Sequence, residues 1–154
     1  MTPGGFAALL DRFRGGYAAV AEAVAAAGPD RLDLALAGGW TAREVVHHLA
    51  DSEMTGAIRL RRLLSEDAPV IAAYDEEAFA RDLRYRDRPV EAALRAVEAA
   101  RATSAELLDR LTEADLARAG THTDSGPYSV ADWLRIYAAH PYDHAAQLRA
   151  AAGI

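Results

Sequence analysis

The sequence predicts an all-α protein, a four-helix bundle made of two helical hairpins that are joined by a long crossover. Apolar residues recur at helical spacing through most of the 154 residues, and no segment alternates in the manner of a β-strand. Two segments, Thr41-x-x-Glu44 and Ser129-x-x-Asp132, have capping-box spacing, and each follows an aromatic residue. The length and the hydrophobic content of 51% fit a single domain over residues 1–154.

The first hairpin has clear boundary signals. The first predicted helix carries one apolar stripe and ends at Gly28-Pro29, a pair that stops helices. The second begins at Thr41 and runs to about Leu64, because the residue before Pro69 is disfavoured in a helix.

The second hairpin begins after the crossover. Its first helix is predicted to start near Pro89, because proline suits the first turn of a helix, and the other helix starts at Ser129. The connection from about Ser65 to Arg88 is too long for a simple turn and has room for a short helix through Phe79. This arrangement is a four-helix bundle with one crossover.

The composition argues against several classes of function. The net charge of −6 and the lack of a basic cluster argue against a nucleic-acid partner. The chain has no cysteine, which excludes disulfides, thiolate metal sites and cysteine nucleophiles, so any thiol must come from outside. A signal-peptide pattern and an apolar run of ~18 residues are also lacking, and we expect a cytoplasmic protein without membrane contact.

The placement of the histidines by helical angle predicts a metal site. His140 and His144 lie near the middle of an apolar stripe, four residues apart, where two imidazoles can bind one ion. On the second helix, His48 lies near the apolar stripe and His47 roughly opposite its centre, so we expect only His48 to point into the bundle. A three-histidine site of this kind leaves coordination positions open, as catalytic zinc sites do.

Other interpretations of these residues remain open at this point. Each inward histidine can be a hydrogen-bonded core residue. His122 lies in the loop from Gly120 to Pro127, where we expect it to be solvated. Pro141 removes a backbone hydrogen bond between the two predicted ligands of the fourth helix. It is either a tolerated kink or one that shapes the pocket with the freed carbonyl of Tyr137.

Several polar residues lie near the predicted ligands. Glu44, Asp51 and Asp143 are candidate acid/base groups, and Ser52 and Gln147 are candidates for orienting the histidines. Each can instead be solvated, cap a helix or form an ion pair. The arginines of the second helix are interpreted as a solvated face in preference to a site for an anionic thiol: Arg59, Arg61 and Arg62.

Five segments carry a family likeness: Trp40–Met54, Ile58-Arg59, Ser65–Pro69, Tyr74-Asp75-Glu76 and His140-x-x-x-His144. Together they resemble the DinB superfamily and, within it, the YfiT-like branch, whose members are often described as metal-dependent hydrolases. The resemblance implies a four-helix bundle, a homodimer, and a nickel or zinc ion on three ligands: His48, His140 and His144. The chain departs from the branch at Glu53, where its members tend to carry histidine.

The resemblance leaves three functions open. Some members of the family are S-transferases that join bacillithiol or mycothiol to an electrophile, and this is the function we favour for a chain without cysteine. The second is a metal-dependent hydrolase of an ester or amide, and the third is a non-enzymatic metal-binding bundle of a stress response. The expected partners are accordingly a small thiol and an electrophile, or a hydrolysable substrate.

Overall fold

Four long helices form the predicted bundle. The computed structural model describes residues 3–154. Its elements are α1 (Pro3–Ala27), α2 (Ala42–Ser65), β1 (Val70–Ile71), α3 (Glu76–Asp82), α4 (Val90–Leu108), α5 (Glu113–Leu116), β2 (Ala119–His122), β3 (Gly126–Ser129) and α6 (Val130–Ala152). Short 3-10 turns cover Pro29–Arg31 and Tyr85–Asp87. α1 packs on α6, and α2 packs on both α4 and α6. Among the described residues, no helix is both long and apolar enough to span a bilayer.

Capping boxes confirm the predicted starts of α2 and α6. The hydroxyl of Thr41 accepts a hydrogen bond from the backbone N–H of Glu44 at 3.1 Å, and the Glu44 carboxylate accepts one from the Thr41 N–H at 2.8 Å. Ser129 and Asp132 form the same reciprocal pair at the start of α6. A third capping box, which the sequence analysis did not identify, begins α5.

A small three-stranded sheet, which the sequence pattern does not indicate, accompanies the helical bundle. β2 pairs antiparallel with β3, and β1 pairs in parallel with β2, so that the sheet ties the crossover to the segment leading into α6. These strands have two to four residues, too few to show alternation in the sequence. His122, expected in a solvated loop, is therefore half-buried on β2, and its ring packs against Tyr128.

The arginines of α2 fasten the crossover to the bundle. Arg59 and Arg62 donate hydrogen bonds to the backbone carbonyls of Ala72 and Val70, at 2.6 and 2.8 Å. Arg61 donates one hydrogen bond to a backbone carbonyl of α2 itself and another to a side-chain hydroxyl of α4. These contacts give the three guanidinium groups a structural role, where the sequence suggested only a solvated face.

A buried ion pair connects the four long helices. Glu53 of α2 and Arg101 of α4 are 2% and 3% exposed, and they bind each other directly. Arg101 also donates to the backbone carbonyls of Phe13 in α1 and Tyr137 in α6. Pro141 has no N–H for the Tyr137 carbonyl, so Arg101 supplies the hydrogen bond that the proline removes.

Two glycines allow the helices to approach closely around these residues. A Cβ atom on Gly16 of α1 would overlap Pro141 and Arg101, and one on Gly56 of α2 would overlap the ring of Tyr137. The indole N–H of Trp133 also donates to the carbonyl of Gly56 at 2.8 Å. α6 therefore packs against the backbones of α1 and α2 at these two points.

Replacing Gly56 by alanine will destabilise the fold, because the added methyl group overlaps the Tyr137 ring. Overpacking of this kind costs about 1–3 kcal/mol, which urea denaturation will measure as a lower free energy of unfolding. Gly4→Ala is the matched control, since Gly4 is also helical and a Cβ atom there meets nothing within 4 Å. A Gly56→Ala protein as stable as the Gly4→Ala protein would contradict the close approach of α2 and α6.

The stability of the protein will depend on the protonation of Glu53. Burial raises the pKa of Glu53 from 4.5 to about 7, despite the attraction of Arg101. The folded state then binds more protons than the unfolded state, so this group's contribution to stability falls as pH rises from 4.5 to about 7. Relative to Glu53→Gln, the free energy of unfolding of the wild type should fall over that range. If the free energies of unfolding of the two proteins change in parallel with pH, the pKa of Glu53 is not raised.

Candidate metal centre

Three histidines from two helices converge at one point. His48 of α2 and His140 and His144 of α6 each place a ring nitrogen within 4.8 Å of the other two. Nε2 of His144 lies 3.0 Å from Nε2 of His140. The ring centroid of His48 lies 4.6 Å from that of His144 and 5.4 Å from that of His140. The structure thus brings together the three ligands that the sequence predicts.

Helix packing explains the convergence. His140 and His144 face the same way from α6 because they are four residues apart. α2 runs antiparallel to α6, with Gly56 against Tyr137. The beginning of α2, which carries His48, therefore lies beside the second half of α6.

The protein environment keeps the two most buried ligands neutral. Burial, together with the neighbouring His144, lowers the pKa of His48 to about 3. Burial and the two other imidazoles lower the pKa of His140 to about 3 as well. Neutral imidazoles have a free nitrogen lone pair near pH 7, which is the form that binds a metal ion.

The nitrogen atoms of the cluster fit a divalent ion. Within residues 3–154, the buried Nε2 of His48 has no hydrogen-bond partner. Nδ1 of His144 lies 2.7 Å from the side-chain oxygen of Gln147, which can accept a hydrogen bond from an N–H group at Nδ1. The Nε2 atom of His144 then carries a free lone pair, directed towards His140. Buried polar atoms are normally bonded, and one ion would satisfy nitrogens of all three rings. The sequence correctly placed Gln147 beside its ligand.

His47 lies outside the cluster, on a side of α2 that is nevertheless buried. It is 2% exposed, its ring stacks on Tyr85, and its Nε2 lies 3.1 Å from the carbonyl of Arg88. The reason is that the crossover covers this side of α2. Nδ1 of His47 is also buried without a partner among the described residues, so an unbonded nitrogen alone does not identify a ligand. Convergence distinguishes His48 from His47.

The three carboxylates predicted as acid/base groups lie in different surroundings. Glu44 is bound by Thr41 and by Arg86, and these hydrogen bonds outweigh the effect of burial and lower its pKa. Asp51 accepts a hydrogen bond from the hydroxyl of Tyr85. Asp143 is exposed on α6. Their catalytic roles stay predictions.

A large cleft opens beside the histidines. It has a volume of about 1030 Å³, and its lining includes His144, Gln147 and Glu44. The remaining walls come from the segment 35–40, from α3 and from the turn at 84–87. The cleft thus lies between the bundle and the crossover.

Two carboxylates of α3 line this cleft, and sequence reasoning did not select either of them. Glu76 Oε2 lies 3.9 Å from Nδ1 of His48. Glu77 accepts a hydrogen bond from the indole N–H of Trp40 at 3.2 Å, and the Trp40 ring lies 4.9 Å from the His48 ring. Glu76 belongs to the Tyr74-Asp75-Glu76 segment, but the sequence does not show that α3 folds over the start of α2.

Several known proteins are similar to this chain. Residues 9–148 match the sequence profile of the DinB superfamily. A protein of Oceanobacillus iheyensis named "Putative metal-dependent hydrolase" is 40% identical over 111 residues, which are 72% of this chain and 64% of that protein. A protein of Bacillus licheniformis with the same description is 37% identical over 116 residues, 73% of this chain and 65% of that protein. The chain thus spans just under two thirds of the length of these relatives.

A solved structure shows the same architecture. YfiT from Bacillus subtilis, described as "a probable metal-dependent hydrolase with an unusual four-helix bundle topology", superposes with a TM-score of 0.91 at 28% sequence identity. The superposition covers 97% of this chain and 87% of that chain. It agrees with the four-helix bundle that the sequence predicts.

Alanine in place of His48, His140 or His144 will abolish the binding of about one divalent ion per chain, because two imidazoles hold an ion less tightly than three. His47→Ala is the matched control. It should keep the ion while losing stability, since its buried ring packs on Tyr85 and not on the cluster. Elemental analysis after loading with zinc or nickel measures the ion content, and urea denaturation measures the stability. Full occupancy in a triad variant, or an ion-free but folded His47→Ala protein, would contradict the assignment.

Proposed function

Because the chain belongs to the DinB superfamily, we propose that it is a metal-dependent enzyme that transfers a low-molecular-weight thiol to an electrophilic substrate. The observation that carries the proposal is the convergence of His48, His140 and His144 beside a large cleft. Their imidazoles fit zinc or nickel, both of which accept nitrogen ligands.

The chemistry of the site supports thiol transfer. A divalent ion held by the neutral imidazoles of His48, His140 and His144 would keep its full double charge and would lower the pKa of a bound thiol or water. The chain contains no cysteine, so the thiol arrives from solution. A cleft of about 1030 Å³ has room for a small thiol and a second reactant.

The surrounding residues would hold the site in shape during turnover. Gln147 fixes the ring of one ligand through its side-chain oxygen. Of the three carboxylates proposed as acid/base groups, Glu44 is the one that lines the cleft, and it would have to act while bound to Thr41 and Arg86. Asp51 is occupied by a tyrosine hydroxyl and Asp143 points to solvent, which makes both weaker candidates for proton transfer.

Hydrolysis of an ester or amide is the second candidate function. It is favoured by the printed names of the relatives and by the description of the YfiT structure. The same three-histidine set would acidify a water molecule in place of a thiol. A metal-binding bundle without enzymatic activity is the third candidate.

We also propose that the protein is a cytoplasmic homodimer, as the family resemblance implies. Met54 and Ile58 lie one turn apart on α2 with 45% and 59% of their surface exposed. A second copy of the chain would cover such apolar side chains.

The zinc- or nickel-loaded protein should conjugate a small thiol to a halogenated aromatic faster than it hydrolyses a panel of esters and amides. The thiol should react as a thiolate, with an apparent pKa below the ~8.5 of a free thiol, and a chelator should abolish the rate. The rates are measured across pH with several thiols. His140→Ala should be inactive, and His47→Ala, whose ring lies outside the cluster, should remain active.

The outcomes distinguish the candidate functions. Metal-dependent hydrolysis without thiol turnover would replace the transferase with the hydrolase. No turnover in either assay, with about one ion bound per chain, would leave a metal-binding bundle.

A further inference from the structure

The two ring nitrogens of His48 have different surroundings. Nε2 is buried and has no hydrogen-bond partner within residues 3–154, whereas Nδ1 lies 3.9 Å from a carboxylate oxygen of Glu76. A neutral imidazole carries one hydrogen, so Nε2 can offer a lone pair to an ion only when that hydrogen is on Nδ1. The N–H group of a ring that is 1% exposed then needs an acceptor.

His144 shows the same arrangement with a different acceptor. Its Nδ1 lies 2.7 Å from the side-chain oxygen of Gln147, and its Nε2 points into the cluster. Histidines that bind metals usually donate their other N–H to a carboxylate or carbonyl oxygen, and this outer contact fixes the ring and makes it a better ligand. Glu76 lies on the Nδ1 side of His48, as Gln147 lies on the Nδ1 side of His144, but at a longer distance.

We propose that Glu76 is a positioning residue that accepts the Nδ1–H of His48 and thereby holds Nε2 towards the ion. The inference rests on the proposed metal site. The observed separation of 3.9 Å exceeds a hydrogen bond. The Glu76 side chain is 52% exposed, and the inferred contact requires a change of its rotamer that closes this gap.

The backbone that carries Glu76 is held in place over α2. The Asp75 side chain caps α3 by accepting from the N–H of Ala78 at 2.9 Å. Glu77 binds the indole of Trp40, whose ring packs on His48. Successive residues at the start of α3 thus cap the helix, face His48 and bind the tryptophan that covers it.

Zinc affinity of the full chain tests this role. Glu76→Ala should weaken zinc binding by about 10–100-fold, the usual effect of removing an outer contact of a metal ligand. Glu76→Gln should retain most of the affinity, because its amide oxygen still accepts a hydrogen bond. Asp82→Ala is the matched control, since it removes one carboxylate from the same helix and that carboxylate contacts Arg81. In a competition assay with a chromophoric chelator, the Asp82→Ala protein should bind zinc as tightly as the wild type.

The hydrogen on His48 gives a second readout that a purely structural role would not change. In the zinc-loaded protein, a long-range ¹H–¹⁵N spectrum should show His48 protonated at Nδ1. That proton should shift upfield in Glu76→Ala and stay unchanged in Asp82→Ala. Far-UV circular dichroism verifies that each variant is folded.

The possible results separate the inference from the proposed function. A wild type that binds no zinc would overturn the metal site itself. A wild type that binds zinc, with Glu76→Ala binding it equally tightly and showing the same Nδ1 proton, would overturn only the role of Glu76. Equal losses of zinc affinity in Glu76→Ala and Asp82→Ala would likewise overturn that role. They would show that the affinity depends on the negative charge of α3 and not on a contact with His48.

Discussion

The close packing of α2 against α6 is the constraint on which the fold and the candidate metal site both depend. Gly56 lets the ring of Tyr137 lie against the backbone of α2, and Trp133 donates to the Gly56 carbonyl. Because the helices are antiparallel, this contact sets which residues meet farther along and brings His48 beside His140. A slip of one residue would rotate His48 by about 100° and shift it by about 1.5 Å, out of reach of the cluster.

The buried ion pair has a positional role that its energy does not explain. Removing two charges from water offsets most of their attraction, so such a pair adds little net stability by itself. Arg101 of α4 nevertheless contacts the three other long helices and satisfies the carbonyl that Pro141 leaves free. α6 can therefore carry a proline directly after one ligand and three residues before the other, and both histidines still face the same point.

The site combines two parts of the molecule with different properties. The three histidines project from long, packed helices, which favours a rigid set of ligands. The cleft beside them is walled by the segment 35–40 and by the crossover, which is fastened by Arg59, Arg62 and the small sheet. The bundle therefore supplies the residues proposed to hold an ion, and the crossover supplies part of the cleft that would meet a substrate. Glu76 lies where these two parts meet.

The sequence by itself determined the four helices, their caps and the three converging histidines, because apolar periodicity and capping are local patterns. Helical angle alone separates His48 from His47. Only the tertiary structure decided what covers each helix face: it buried His47 under the crossover and brought Glu76 to His48. It also formed strands too short to read from the sequence and paired Glu53 with Arg101 across 48 residues. Contacts between distant segments depend on how helices dock, which no local pattern encodes.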